Sequence, residues 1–287
     1  MSQRSASISG VLYVVATPIG NLADISHRAI QILQTVDIIL AEDTRHSQPL
    51  LAHFGIKKPL QSFHAHNETT KSNSIIQALH AGQSFALISD AGTPLISDPG
   101  YPLVQEARNQ GIPVVPIPGP CALITALSAA GIPCDTFSFF GFLPAKSKAR
   151  QEKLASLQPI EHTLVFYEST HRIHACLDDI STIFGPTCEV VVAKELTKTF
   201  EHFIKGPIPT IKQWLNADTT HTKGEFVVMI PPRLALPSMN EQEHILKLLL
   251  AELPLKQAVN LTTQITQGNK NMLYQQALEW QKQYEGN

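Results

Sequence analysis

Hydrophobic residues fall along this chain in two rhythms, and their alternation predicts the architecture. Short continuous apolar runs recur at Val11 to Ala16, Ile38 to Ala41, Phe85 to Ile88 and Val114 to Ile117. Runs of this length, bounded by Pro, Gly or charged residues, suit strands buried on both faces of a sheet. Between them apolar residues recur at helical spacing. Asp24 is positioned to cap a helix running to about Thr35, with Ile25, Ala29, Ile30 and Leu33 on one face. A helix from about Lys71 to Ala81 stops at Gly82, and another opens at Asp98-Pro99, with proline at its first position, and stops at Gly111. Pro118-Gly119-Pro120 opens one more, which ends at Gly131. Strands alternating with helices mean an α/β domain with a largely parallel sheet.

The second half adds sequential strands. Phe137 to Phe140, Thr163 to Tyr167, Val190 to Ala193, Phe200 to Ile204 and Glu225 to Ile230 read as strands, the last of them antiparallel because their connections are short. Pro231-Pro232 and Leu236-Pro237-Ser238 mark a linker. Beyond it lie three helices, near 240–252, 255–267 and 270–284, the last two separated by Gly268-Asn269. This tail is either a helix-turn-helix-like module or a packing bundle. The fold class is therefore α/β: residues 1–120 with a largely parallel sheet, 121–232 with a mixed sheet, and a small helical extension at 238–287.

Composition narrows the function classes. A chain of 287 residues exceeds most single cores, and 43% hydrophobic with 16% charged residues describes an ordinary soluble globular protein. Its longest apolar runs fall far short of the roughly 20 residues of a membrane helix, so no span is expected. Arg4 precedes only a short apolar stretch, and Thr17-Pro18-Ile19-Gly20 looks structural, so no signal peptide is expected. Four cysteines without a C-x-x-C disfavour structural zinc and a disulfide scaffold and fit a reducing cytoplasm. Twelve histidines include no H-E-x-x-H, and no metal is expected. A net charge of −2 argues against gripping nucleic acid by bulk electrostatics and leaves room for a local basic surface.

In an open parallel sheet, ligands bind beyond the carboxyl ends of the strands. Here those ends carry Thr17-Pro18-Ile19-Gly20-Asn21-Leu22, Glu42-Asp43-Thr44-Arg45, the doubled turn ISDAGTPLISDPG (88–100) and Pro118-Gly119-Pro120. Four unusual loops at one sheet edge favour a site. Neither G-x-G-x-x-G nor G-x-x-x-x-G-K-[ST] is present. What remains is glycine that lets backbone approach a ligand, plus carboxylates that accept from hydroxyls or amines. That lining suits a nucleoside-like ligand carrying an amine and a positive charge better than a polyphosphate, with S-adenosylmethionine as the candidate.

LYVVATPIGNL (12–22), ILAEDTRHS (39–47), ISDAGTPLISDPG, VPIPGPCALITAL (115–127), FYESTHR (166–172), AKELTK (193–198) and KGEFV (223–227) occur in order. LPLK and NKN-x-LY follow in the tail. Together they resemble the bacterial 16S ribosomal RNA cytidine 2′-O-methyltransferases of the tetrapyrrole methylase superfamily. The resemblance implies two α/β domains with S-adenosylmethionine in the cleft between them, and a homodimer. It also implies the acceptor, a cytidine ribose 2′-hydroxyl in the decoding centre of 16S ribosomal RNA in the small subunit. On it, the cofactor lining is expected from Pro18, Gly20, Asp90, Ala91, Gly92, Thr93, Pro120, Cys121, Ala122, Tyr167, Glu168, Gly224, Glu225 and Phe226. Cys121 departs from the family's more frequent serine, and a thiol is a weaker hydrogen-bond partner than a hydroxyl.

Methyl transfer from a sulfonium is an in-line displacement, helped by positioning and by a base or cation near the acceptor oxygen. Candidates are Glu42, Asp43 and Arg45; Glu168, His171 and Arg172; and Lys194 and Glu195. The sets Lys194-Glu195 and Glu42-Asp43-Arg45 are favoured for the acceptor side because both follow apolar strands. They also read as ion pairs that fix loops, and Glu168 as a helix-capping carboxylate. Within the doubled turn, Asp90 to Thr93 is assigned to the cofactor cleft and Asp98-Pro99-Gly100 to the start of the next helix. Lys146, Lys148, Arg150 and Lys153, just after Gly141-Phe142-Leu143-Pro144, form either a phosphate-contacting lid or a solvated helix face. The rivals are a methyltransferase acting on a tetrapyrrole or a protein side chain, and a non-catalytic nucleotide sensor whose tail binds DNA.

Overall fold

The apolar runs of the first half become neighbours in one parallel sheet. In the computed structural model, which describes residues 10–233, 239–266 and 268–285, its strands are β1 (Leu12–Val15), β2 (Ile38–Ala41), β3 (Leu60–Ser62), β4 (Phe85–Ile88) and β5 (Val114–Ile117). They lie in the order β3-β2-β4-β1-β5, every pairing parallel. β4 is buried along its whole length, which is why its sequence is continuously apolar. Helices α1 (His27–Thr35), α2 (Thr44–His53), α3 (Glu68–His80) and α4 (Tyr101–Asn109) cover the sheet. Leu12, Leu40 and Leu87 pack against Ile75, Leu79 and Leu103 of α3 and α4. Val15, Ile39 and Ile88 pack against Ala29, Leu33 and Leu51 of α1 and α2. Each of these Val, Leu and Ile side chains, fully buried, contributes about 1.5–3 kcal/mol.

Several boundaries differ from the sequence reading. Ser26, not Asp24, caps α1: its hydroxyl accepts from the Ala29 N–H, while Asp24 ends a 3₁₀ turn. Helix α3 starts at Glu68 rather than Lys71. Helix α4 starts at Tyr101 with Gly100 as its N-cap, and Pro102 takes the first-turn role expected of Pro99. Gly100, at φ +127°, supplies a backbone turn that other residues rarely adopt, so Asp98 and Pro99 stay in the loop. Helix α2 grows out of a segment read as a loop, capped by Asp43, and Pro49 in its interior hides its periodicity.

The second unit contains α5 (Ala122–Ala129), β6 (Phe137–Phe142), α6 (Ser147–Ser156), β7 (Thr163–Ser169) and α7 (Ile173–Phe184). It continues with β8 (Glu189–Lys194), β9 (His202–Pro207), α8 (Ile208–Ala217) and β10 (Glu225–Ile230), so the strand expected from Phe200 begins two residues later. The order is β6-β7-β10-β8-β9, parallel between β6 and β7 and antiparallel elsewhere, a mixed sheet. One face packs on α6, α7 and α8. The other packs on α5, and Ile19 from the loop after β1 joins that cluster, so the first unit reaches into the second unit's core.

The tail forms α9 (Met239–Glu252), α10 (Leu255–Thr266) and α11 (Lys270–Glu285) around a small core of Leu246, Ala258, Val259, Leu273 and Ala277. The N-terminal reading at Arg4 and the linker at Leu236-Pro237-Ser238 lie outside the described residues. Among the described residues no helix is long and apolar enough to cross a membrane.

Candidate active site

The loops after β1, β4 and β5 are tied together at the carboxyl edge of the first sheet. Thr17 and Gly92 exchange backbone hydrogen bonds of 2.9 and 3.0 Å, and the buried Thr17 hydroxyl donates to the Ser89 carbonyl at 3.2 Å. The Thr93 hydroxyl donates to the Pro120 carbonyl at 3.0 Å. Gly92 has φ +83°, and a Cβ there would lie 3.2 Å from the Ile19 methyl. The rest of the doubled turn is bent harder, with Leu95 and Ser97 both at φ +72°. Non-glycine residues hold that conformation only where the surroundings impose it, and such residues cluster at ligand clamps.

Against these loops the second unit closes a cavity of about 320 Å³, within the usual size range of small-molecule sites. The first unit contributes Ile19, Asp90, Ala91, Gly92, Thr93, Ile96, Ser97 and Asp98. The second contributes Cys121, Ala122, Phe142, Tyr167, Glu168, Ser169, Leu196, Glu225, Phe226 and Val227. Tyr167 accepts from the Leu123 N–H at 3.0 Å, satisfying an otherwise open donor in the first turn of α5. Burial, with Cys121 beside it, pushes the phenol far above its ordinary range, so it stays neutral.

The cavity's polar wall is acidic. Asp90 accepts from the Asp43 N–H at 3.1 Å. Burial raises the Asp98 carboxyl to about 6; the neighbouring Glu42 and Asp90 carboxylates add to the rise, and a hydrogen bond with Ser89 offsets part of it. Glu42 is raised as well, by burial first and by Asp90 next, with His64 opposing. No lysine, arginine or histidine is among the lining residues, which makes the cavity a poor receptor for a polyphosphate.

Of the positions expected to meet the cofactor, Asp90, Ala91, Gly92, Thr93, Cys121, Ala122, Tyr167, Glu168, Glu225 and Phe226 line this cavity. Pro18, Gly20, Pro120 and Gly224 do not. Gly20 lies against Lys198, Gly224 against the Glu195 carboxyl, and Pro120 lends its carbonyl to Thr93. Asp98 requires a correction. It is not a helix start but a wall of the cavity, because Gly100 ends the loop two residues later. The repeated Ile-Ser-Asp-x-Gly was the signal, since a second copy of the first lining turn was a candidate for the same wall. Ile96, Phe142 and Leu196 carried no comparable mark.

None of the catalytic candidates Glu42, Asp43, Arg45, Lys194 and Glu195 is among the residues that line the cavity. Asp43 and Arg45 form a 2.8 Å ion pair with Arg45 89% exposed, and this contact holds the Asp43 carboxyl well below its ordinary range. Glu195 accepts from Lys198 Nζ at 2.8 Å and from the Glu225 N–H at 3.0 Å. Burial opposes the charge of Glu195, but the Lys198 and Glu225 contacts outweigh it and lower its pKa. Lys194 is buried and, by strand alternation, shares the sheet face of Val190 and Val192. Glu42 is electrostatically coupled to Asp90 and Asp98.

Glu168 is buried, accepts from the Ser169 N–H at 2.9 Å and pairs with Arg172 at 3.2 Å. The basic stretch divides. Lys146, Lys148 and Lys153 are exposed, whereas Arg150, expected at a phosphate, is 2% exposed and bound to Asp179 at 2.6 Å. A buried guanidinium in such a pair cannot reach nucleic acid, and Arg150 is withdrawn from that role. Burial works against the Asp179 charge, but hydrogen bonds from Gln151, Ser147 and Arg150 outweigh it and lower its pKa.

Comparison with known proteins agrees with this architecture. Residues 11–212 match the family described as Tetrapyrrole (Corrin/Porphyrin) Methylases, and residues 238–281 match the RsmI C-terminal HTH domain. A protein of Pasteurella multocida named ribosomal RNA small subunit methyltransferase I is 51% identical, covering 95% of this chain and 98% of the relative. Its namesake from Escherichia coli O157:H7 is 50% identical over 97% of this chain and 98% of its own length. Among solved structures, diphthine synthase superposes with a TM-score of 0.63 at 13% identity, covering 79% of this chain and 91% of that one. The uroporphyrin-III-C-methyltransferase of Thermus thermophilus gives 0.54 at 18% identity, covering 77% and 94%. At such identities the structural likeness speaks for the fold alone. With the family matching residues 11–212 and relatives 51% and 50% identical matching nearly the whole chain, this chain belongs to the tetrapyrrole methylase family.

Proposed function

We propose that this chain transfers a methyl group from S-adenosylmethionine to the ribose 2′-hydroxyl of a cytidine in the decoding centre of 16S ribosomal RNA, within the small subunit. The names of its close relatives support a small-subunit ribosomal RNA substrate. The ordered segments from LYVVATPIGNL to KGEFV support the cytidine and its ribose oxygen. The observation that carries the reading is the cavity between the two units, with the Gly92 turn on one side and Asp90 and Asp98 in its wall.

The lining suits the methyl donor. The Ala91-Gly92-Thr93 turn lines the cavity with small side chains, Ala122, Leu196 and Val227 offer apolar surface, and Asp90 and Asp98 complement a cation. When bound, the donor supplies an electrophilic methyl on a sulfonium. The chain's own task is to align the acceptor and take its proton. Asp98, in the cavity wall with a pKa near 6, is suited to accept that proton at neutral pH, and Glu42 and Asp90 keep it basic. The Asp43–Arg45 and Glu195–Lys198 pairs act in this reading as braces for the surrounding loops. Exposed Lys146, Lys148 and Lys153 provide cations for the phosphate backbone. The protein works as a cytoplasmic homodimer in this reading.

The test is incubation of purified protein with labelled S-adenosylmethionine and small subunits from a strain lacking the modification, followed by mapping of the label. Label on a cytidine ribose supports the proposal, and label on a base or on protein overturns it.

A further inference from the structure

We infer that Phe142 is the platform on which the nucleobase attached to the reacting ribose stacks. The inference rests on the RNA methyl-transfer reading and deepens it. Its origin is an irregularity between β6 and β7. Phe139 is paired with Val165 and Phe142 with Tyr167, so three steps along β6 match two along β7. Phe139 and Phe142 consequently both meet the Tyr167 ring edge-on, at 4.8 and 5.7 Å, while Phe140 between them turns to the other face and stacks on Phe166. In an unbroken strand Phe142 would follow Phe140 to that opposite face. Bulges next to active sites re-aim side chains in this way.

The bulge also needs its glycine. Gly141 has φ +60°, and a Cβ on it would lie 2.8 Å from the Ser97 hydroxyl of the first unit. The outcome is a phenyl ring that lines the cavity yet remains 54% exposed, at a rim shared with the exposed Ile96. A ring kept only for packing has no reason to be turned outward at the cost of a bulge.

The segment beyond Phe142 is held before any substrate arrives. The Arg172 guanidinium donates to the Leu143 and Pro144 carbonyls, and Arg150 donates to those of Pro144 and Ala145. Carboxylates in turn fix both arginines, Glu168 at 3.2 Å and Asp179 at 2.6 Å. The chain then emerges at Lys146 and Lys148, both exposed. A flat apolar ring followed by free cations, on a chain of net charge −2, complements a single-stranded nucleotide: base on the ring, phosphate on the lysines. The part of the cavity beside the buried Gly92 and the half-buried Ala122 is left to the methyl donor.

The test compares full-length Phe142→Ala, Phe142→Leu and Phe142→Trp proteins on small subunits lacking the modification, with donor affinity measured separately by calorimetry. Loss of stacking should raise KM for the particle roughly 5- to 150-fold in the Ala and Leu proteins, the factor equivalent to about 1–3 kcal/mol. The Trp protein should stay near wild type, and donor affinity and kcat should move less than about twofold. The Leu protein keeps an apolar side chain against Tyr167, so a merely structural role would leave its KM unchanged. An unchanged KM in the Ala and Leu proteins, or a loss confined to donor affinity, overturns the inference. Absence of ribose label with the wild-type protein would instead overturn the functional reading beneath it.

Discussion

Replacing Asp98 by Asn probes the acidic wall directly, because the same carboxyl governs stability and, in the proposed mechanism, turnover. Its pKa is 3.8 in the reference state and about 6 in the folded protein, raised first by burial and then by Glu42 and Asp90. The folded state therefore holds this proton more tightly than the unfolded chain. Stability associated with the group is fully present below about pH 4 and is lost as pH rises through 6. The full interval corresponds to about 3 kcal/mol, and solvent screening of a half-buried carboxyl reduces that to ~1–2 kcal/mol. An amide cannot ionise and can keep the Ser89 hydrogen bond. Asp98→Asn should thus be more stable than wild type by ~1–2 kcal/mol at pH 7.5, with the gain shrinking to roughly a third at pH 4.5. Urea unfolding at the two pH values measures this. Single-turnover methylation supplies the second readout: wild type should gain about tenfold per pH unit up to about 6 and then level off. The Asn protein should be flat and about 10²- to 10⁴-fold slower. A variant less stable than wild type at pH 7.5, or a stability difference indifferent to pH, would refute the electrostatic reasoning. A surviving pH limb in turnover would move the base elsewhere.

Other perturbations test separate links. Arg150→Met should cost about 3–5 kcal/mol in urea unfolding, because it strands a buried Asp179 carboxylate, and adding Asp179→Leu should restore most of the loss. Gly92→Ala forces a left-handed alanine against Ile19, so a loss of about 1–2 kcal/mol in stability and a weaker donor affinity by calorimetry are expected. Lys146→Gln and Lys148→Gln should each lower the slope of log affinity for the small subunit against log salt by roughly one, with donor affinity unchanged.

The continuous runs at Ile38–Ala41 and Phe85–Ile88 and the glycine stops at Gly82 and Gly111 determined the parallel sheet from sequence alone, because a doubly buried strand must be apolar throughout and a helix stop needs a left-handed residue. The Asp90-to-Thr93 turn was legible for the same reason: it follows a buried strand, where ligand loops belong. Side-chain direction was not legible. Arg150 reads as one more surface cation until Asp179, on a different helix, is seen to draw it inward. Phe142 reads as lying past a strand that ends at Phe140, until β6 is seen to run on to it and the one-residue irregularity against β7 turns it toward the cavity. Asp98 reads as a helix cap until Gly100 ends the loop after it. Local sequence dictates backbone state through periodicity and turn chemistry. Which way a side chain faces depends on register and on partners distant in the chain, and only the tertiary structure supplies those.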